Sequence, residues 1–373
     1  MFLATSLAPG TVRRGRFGAT GGERSTADVG RARLASARSG LCDDTPEDYG
    51  WVMRDLLAGI AARRGLLIAL QVAFVGILLG FFGWALRDTW GDTWPRLKDA
   101  DLVDLSFAGA LLAAYYLMFV IGWQWILRSL GIQTSYAVAL QSEMASMLAK
   151  YIPGGIWTPA ARVVWLRKAG GVDRTSVVVA SILLEAGLSA VAGVLVLVCS
   201  LPFVSGWDAP IWPVVVFGLG IAGLMHPRIY RAVTRVAFRP FGATAPPALP
   251  WRTMLGLLVF YSANWVVGGV ALLFMVRSVG GDAGLEVAAY LGGAAAVGAI
   301  VAVLSVLAPS GLGVREASMY GLLLAVASPG VALGATVVNR LAITVVEAGL
   351  LGTAVLAWRK RHEAPEAASR PAS

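Results

Sequence analysis

The chain has 373 residues, 57% of them hydrophobic and only 14% charged, with a mean hydropathy of +0.70. Soluble domains carry about 25% charged residues, so this composition excludes a soluble globular protein and points to a polytopic α-helical membrane protein. The net charge of +9 is no nucleic-acid signature. Its arginines gather at the ends of apolar segments, where they fix orientation and meet anionic lipid headgroups.

Residues 1–64 are rich in Gly, Ala, Ser and Arg, with seven arginines against two acids in the first forty. Such a stretch buries too little apolar surface to offset its ordering entropy and reads as a disordered basic tail. A lipid-binding arm and a true start at Met53 are the other readings. "MFLATSLAPG" is too short for a signal-peptide core and breaks at Pro9. "EDYGWVMRDLLAGIAARRG" closes the tail as a short amphipathic entry helix.

The apolar segments follow at 66–86, 105–127, 136–152, 176–201, 211–225, 254–276, 287–308, 314–327 and 333–358. A helix needs about 20 apolar residues to cross the hydrocarbon core. Segment 211–225 reaches only about 22 Å, but it has to cross if the five-arginine loop 226–252 is to stay inside. Arg54, Arg63 and Arg64 before the first span, and Arg359, Lys360 and Arg361 after the last, place both termini in the cytoplasm of a plasma-membrane protein. By the same rule the acid-rich loop 87–104 lies outside and 160–174 inside.

Parity then turns 136–152 into one arm of a re-entrant hairpin bent at Pro153, Gly154 and Gly155. Segments 287–308 and 314–327 form the matching hairpin, bent at Pro309, Ser310 and Gly311, unless 287–308 crosses completely. "LLEAGL" at 183–188 returns as "VVEAGL" at 345–350. The expectation is an all-α membrane bundle of six to eight crossings with an inverted repeat, about 105–201 against 254–358, inside a membrane domain 65–358 followed by a cytoplasmic tail 359–373.

Each Pro-Gly break frees backbone polar groups, which a bilayer tolerates only inside protein or along a wet cavity. The helices restarting near Trp157 and Val314 therefore offer N-termini suited to an anionic group such as a phosphate. Arg162 and Arg315 add guanidinium groups there; alternatively the breaks are packing kinks and Arg162 anchors the cytoplasmic face. Glu185 and Glu347 lie about ten residues inside spans, where a charge is costly and usually partnered. Arg315, Arg340 and Lys150 are the candidate partners, with Glu316 beside Arg315; internal ion pairs that merely lock packing are the plain alternative. Glu143 and Lys150 share a helical face, near Ser142 and Ser146. Asn264 and Asn339 read as interhelical hydrogen-bond glue.

Cys42 and Cys199 are too few and too far apart for a disulfide framework or a cysteine metal site, and His226 and His362 form no cluster. No nucleotide loop or hydrolase motif is visible. The reading has no catalytic residue, no metal and no cofactor.

"PSGLGVREA" resembles a stretch of the flippase-like membrane domain of lysylphosphatidylglycerol synthases and their stand-alone relatives, through Pro309, Gly311, Gly313, Val314, Arg315, Glu316 and Ala317. Arg340 and Leu341 match an Arg-Leu in that family's last span. Lys150, Tyr151, Pro153, Gly154 and Trp157 match its earlier Pro-Gly motif, and Glu185 its Leu-Leu-Glu segment. The chain departs from the pattern at Trp157-Thr158-Pro159, at Ala160-Ala161-Arg162, and at Ala186, where the family has Arg. The likeness spans about 66–358 and does not include the synthase's soluble domain, so lysyl-lipid synthesis does not carry over. It implies translocation of a polar phospholipid or lipid-linked saccharide between leaflets. The implied headgroup site comprises Lys150, Pro153, Gly154, Gly155, Trp157, Arg162, Pro309, Gly311, Gly313, Arg315 and Glu316, with Glu143, Glu185, Arg340 and Glu347 as intramembrane charges. The partners are then lipids with an anionic headgroup. The alternative is a membrane scaffold for an envelope-biosynthesis enzyme such as a glycosyltransferase.

Overall fold

The computed structural model describes residues 86–149 (the side chain of 148 apart), 157–204, 249–305 and 311–368, with side chains through 356 in the last stretch. It adds isolated positions between 69 and 84 and at 228, 229 and 232. The 1–64 tail and its entry helix, most of 66–86, segment 211–225, nearly all of loop 226–252, and Lys150, Pro153, Gly154, Gly155 and Pro309 lie outside the described residues.

In chain order the helices are α1 (Arg87–Lys98), α2 (Leu102–Ser129), α3 (Tyr136–Ala149), α4 (Trp157–Gly170), α5 (Thr175–Ser200), α6 (Trp251–Ser278), α7 (Ala288–Leu304), α8 (Val314–Leu323) and α9 (Pro329–Ala368). The protein is all-α among these residues. Five helical stretches are long and apolar enough to cross a membrane: 102–129, 175–203, 251–278, 285–304 and 329–356. At 1.5 Å per residue, α3 and α4 reach about 21 Å each and α8 about 15 Å, short of the roughly 30 Å core.

Two sequence expectations change here. The expected loop 87–104 holds helix α1 despite its Gly91 and Pro95. Tertiary packing overrides those breakers: Thr93 is fully buried and donates to the Gly330 carbonyl at the start of α9. Trp90 and Trp94 stack alongside, and Lys98 lies over the Trp94 ring. The loop 160–174 is mostly helix as well, and α4 buries Arg162, Val163 and Leu166. At the other end α9 runs to Ala368, past the expected end of the span at 358, through a stretch rich in the helix formers Ala, Glu, Lys and Arg.

Each half opens and closes on a helix of 26 residues or more, α2 to α5 and α6 to α9; between them α3, α4 and α8 are short, whereas α7 is part of a stretch long enough to cross. The two leading helices, α2 and α6, are 28 residues each and pack along one another. They run antiparallel. The Asp101 amide at the start of α2 donates to the Ser278 carbonyl at the end of α6 (2.9 Å), and Trp125 near the end of α2 packs over Gly256 near the start of α6. The Asp101 carboxylate also caps α2, accepting from the Val103 amide at 2.7 Å.

Helix α6 is the centre of the bundle and touches α2, α5, α7 and α9. Its approach to α7 depends on glycine: a Cβ at Gly269 would strike the backbone of Ala288 and Gly292, and one at Gly292 the Trp265 carbonyl. Association in lipid rests on such close backbone packing, because lipid gives no hydrophobic drive between helices. Surface and interior are inverted accordingly. Val259, Leu341, Val345 and Val303 stand exposed, while Glu143, Arg162, Glu185, Asn264 and Glu347 are buried. The interior of the bundle is where the polar chemistry lies.

Candidate functional site

Helices α3, α4 and α5 converge on one guanidinium. Arg162, five residues into α4, bonds the Glu143 carboxylate of α3 through Nη2 and the Glu185 carboxylate of α5 through Nη1. Its Nε lies 3.4 Å from Ser146 Oγ, and the Trp123 ring of α2 covers it with 4.8 Å from Cζ to the ring centroid. Trp123 is held in turn by its indole N–H, which donates to Ser181 Oγ at 3.0 Å. Arg162 is 7% exposed, and Glu143 and Glu185 are 4% each. Trp123 itself belongs to an apolar core built from α2 to α5, with Leu127, Val163, Leu166, Val178 and Ile182.

This geometry names the partner of Glu185. It is Arg162, and not Arg315 or Arg340; Lys150 lies outside the described residues. Nor is Arg162 an exposed anchor of the cytoplasmic face. An anion could reach its guanidinium only by displacing carboxylates already in place. Two carboxylates against one guanidinium leave the cluster one negative charge in excess. Glu143 Oε2 and Glu185 Oε1 are buried and accept no hydrogen bond.

The second half is arranged differently. Gly313 has φ of +82°, a left-handed conformation that glycine adopts at little cost, and it launches α8. Glu316 folds back so that its Oε2 accepts from the Gly313 amide at 2.6 Å, the reciprocal arm of a capping box. Its Oε1 lies 3.3 Å from Arg340 Nη1, which ties α8 to α9. Glu316 and Arg340 therefore satisfy each other.

Arg315 is left over. Its side chain lies against Gly298 of α7, whose added Cβ would meet Arg315 Cγ at 3.4 Å. Among the described residues no carboxylate comes within salt-bridge distance of it, and its buried Nε has no acceptor. It lies within electrostatic reach of the Tyr115 and Tyr116 hydroxyls of α2. Tyr116 donates to Glu347 Oε1 at 2.8 Å, linking α2 to α9. A half-buried guanidinium without a counter-ion among the described residues, at a helix N-terminus and near two phenols, can bind an oxyanion through charge and directed N–H donors.

Of the other predicted residues, Trp157 and Val314 open α4 and α8 as expected, Trp157 half-buried. Gly311 has φ of +68°. Asn339 donates to Met319 Sδ at 3.5 Å, but Asn264 is fully buried with neither polar side-chain atom partnered, so it does not serve as hydrogen-bond glue. Sequence reasoning missed Trp123, Tyr115, Tyr116, Ser181 and Tyr261. The available signals were two adjacent tyrosines in the middle of an apolar span and a tryptophan away from either end of one.

Comparison with known proteins agrees with this architecture. The family described as lysylphosphatidylglycerol synthase TM region matches residues 67–350. A search of curated proteins gave no match. The match takes in both clusters and every helix from α1 to the greater part of α9. The chain is a multi-pass membrane protein that belongs to the lysylphosphatidylglycerol synthase TM region family.

Proposed function

We propose that the protein is a non-catalytic lipid translocase that moves a polar phospholipid or lipid-linked saccharide between the leaflets of the plasma membrane. The observation that carries this reading is Arg315, a half-buried cation with no carboxylate within salt-bridge distance among the described residues. An intramembrane charge is costly and marks a pathway more often than a packing contact. An anionic headgroup would supply the missing counter-charge at the α8 N-terminus while acyl or isoprenoid chains remain in lipid.

In this reading α3–α4 and α7–α8 are opposed re-entrant hairpins of an inverted repeat, both termini are cytoplasmic, and the hairpins flank the polar slot. The antiparallel α2 and α6, the long helices that open and close each half, and the shortness of α3, α4 and α8 support it. Trp157 opens α4 beside the first bend of this reading; Lys150, Pro153, Gly154, Gly155 and Pro309 lie outside the described residues.

The test is reconstitution in liposomes carrying fluorescent anionic and zwitterionic lipids, with a quencher reading the outer leaflet. Loss of one charge-assisted phosphate contact is worth about 1.5–3 kcal/mol, so Arg315→Ala slows anionic-lipid exchange by roughly ten- to a hundredfold. Exchange unchanged in that variant would overturn the role of Arg315. No exchange of any lipid by wild-type protein would leave the scaffold reading in its place.

A further inference from the structure

We infer that the Glu143–Arg162–Glu185 cluster is a proton-binding site that holds one exchangeable proton between its two carboxylates. Its coupling to lipid movement rests on the translocase reading; the site itself stands on geometry.

The argument begins with charge. Two carboxylates and one guanidinium, each under 10% exposed, leave one negative charge uncompensated among the described residues. Burying an unpaired charge costs several kcal/mol even after relaxation, and a buried acid usually escapes that cost by taking up a proton. The guanidinium occupies one oxygen of each carboxylate and leaves the other bare. Those two oxygens are where a proton can reside.

A second observation points to the same place. Tyr261 of α6 is fully buried, its hydroxyl has no partner, and it lies within electrostatic reach of Glu143, Glu185 and Arg162. It packs against Gly122, the residue before the Trp123 that covers Arg162. Ser142, which precedes Glu143 on α3, is also fully buried, and its hydroxyl is unpartnered. Both groups can donate to a bare carboxylate or accept from a protonated one, as a proton relay requires.

Among the described residues no other cation takes the place of the proton. From α2 the neighbours are Trp123 and Gln124, the latter donating to the Thr134 carbonyl. From α6 they are Tyr261 and the neutral Asn264. Helix α7 carries no titratable residue between Leu291 and Leu304, and Tyr290 donates to the Leu322 carbonyl. Helix α9, packed on α3, carries Arg340, committed to Glu316, and Glu347, bonded to Tyr116. On α4, Arg167 is turned to the exterior near Asp173, and Lys168 is exposed as well. A metal cation would have to sit beside the guanidinium and be repelled by it, whereas a proton removes a negative charge without adding a second positive centre.

The step balances simply. A proton from the aqueous phase on one side converts one carboxylate to a carboxylic acid, and its release on the other side restores the carboxylate. Arg162 remains protonated throughout.

Infrared difference spectroscopy on the full-length protein in proteoliposomes tests the site. Wild-type protein is expected to show a protonated-carboxyl C=O band at neutral pH that shifts in D2O. Either Glu143→Gln or Glu185→Gln abolishes it, because Arg162 then neutralises the single remaining carboxylate. Glu347→Gln, which removes the other described buried carboxyl, keeps the band. Absence of the band in wild type, its survival in both cluster variants, or its loss only in Glu347→Gln would overturn the proposal. The wild-type measurement needs no variant to fold.

In the same liposomes a pH gradient of one unit biases the steady-state distribution of the anionic lipid by up to about tenfold for one coupled proton, and Glu185→Gln removes the bias. A bias set by a sodium gradient, and unmoved by pH, overturns the assignment to a proton. The band without any lipid exchange leaves the proton site standing and removes the translocase; exchange without the band does the reverse.

Discussion

The two halves of the bundle each open and close on a long helix and dispose of their charges in opposite ways. In α3–α5 the arginine is enclosed: two carboxylates, a serine and a tryptophan ring take up its guanidinium. In α7–α9 the carboxylate is enclosed: Glu316 is divided between the Gly313 amide and Arg340, and Arg315 has no counter-ion among the described residues. One half carries a negative excess and the other an available positive charge. An arginine inside a membrane bundle therefore cannot be assigned to ligand binding by its presence. Which neighbours already satisfy it decides the matter.

The sharpest way to break this contrast is to remove each arginine in turn and read stability. Arg162→Ala strands two buried carboxylates, and breaking a buried pair in this way costs about 3–5 kcal/mol. We expect a large fall in the thermal unfolding midpoint of the protein in detergent. Arg315→Ala, which breaks no ion pair among the described residues, costs about 1 kcal/mol or less. Equal losses would erase the distinction. Combining Arg162→Met with Glu143→Gln and Glu185→Gln sharpens it: if charge rather than volume is at stake, the triple variant regains most of the stability lost in Arg162→Ala.

The next effect is local to the second break. Gly313 holds φ of +82°, and its amide is the donor that fixes Glu316. A side chain there pays the left-handed penalty of about 1–2 kcal/mol and loosens the cap that orients the neighbouring Arg315. Gly313→Ala should lower the unfolding midpoint modestly and slow anionic-lipid exchange in the direction of Arg315→Ala. Unchanged exchange in a folded Gly313→Ala protein would separate the cap from the site.

Much of this contrast was beyond the sequence for a physical reason. Span positions were legible because apolar runs of fixed length have few other uses, and both restart points, Trp157 and Val314, follow from Pro and Gly. The specific stretch 309–317 revealed the family for the same local reason. Pairing was not legible. Glu143, Arg162 and Glu185 lie on three different helices, and nothing in their spacing says that they meet. The loop charge rule even read Arg162 as a surface group, because it counts charges without knowing which are buried. Helix α1 was missed for a related reason: 87–104 read as a loop from its acidic composition, which does not register the burial of Thr93 against α9.

The smallest effect distinguishes the two sites at their point of contact with α2. Tyr116 lies within electrostatic reach of Arg315 and donates to Glu347, so it belongs either to the headgroup site or to the frame. Interhelical hydrogen bonds in membranes are worth about 0.6 kcal/mol on average, and Tyr116→Phe removes one while preserving the ring's packing. If the phenol is frame, stability falls by about that amount and anionic-lipid exchange stays near wild type. This is the expected result, because Glu347 already engages the hydroxyl. A loss of exchange as deep as that of Arg315→Ala, at unchanged stability, would instead make the phenol a second headgroup donor and extend the cationic site from α8 onto α2.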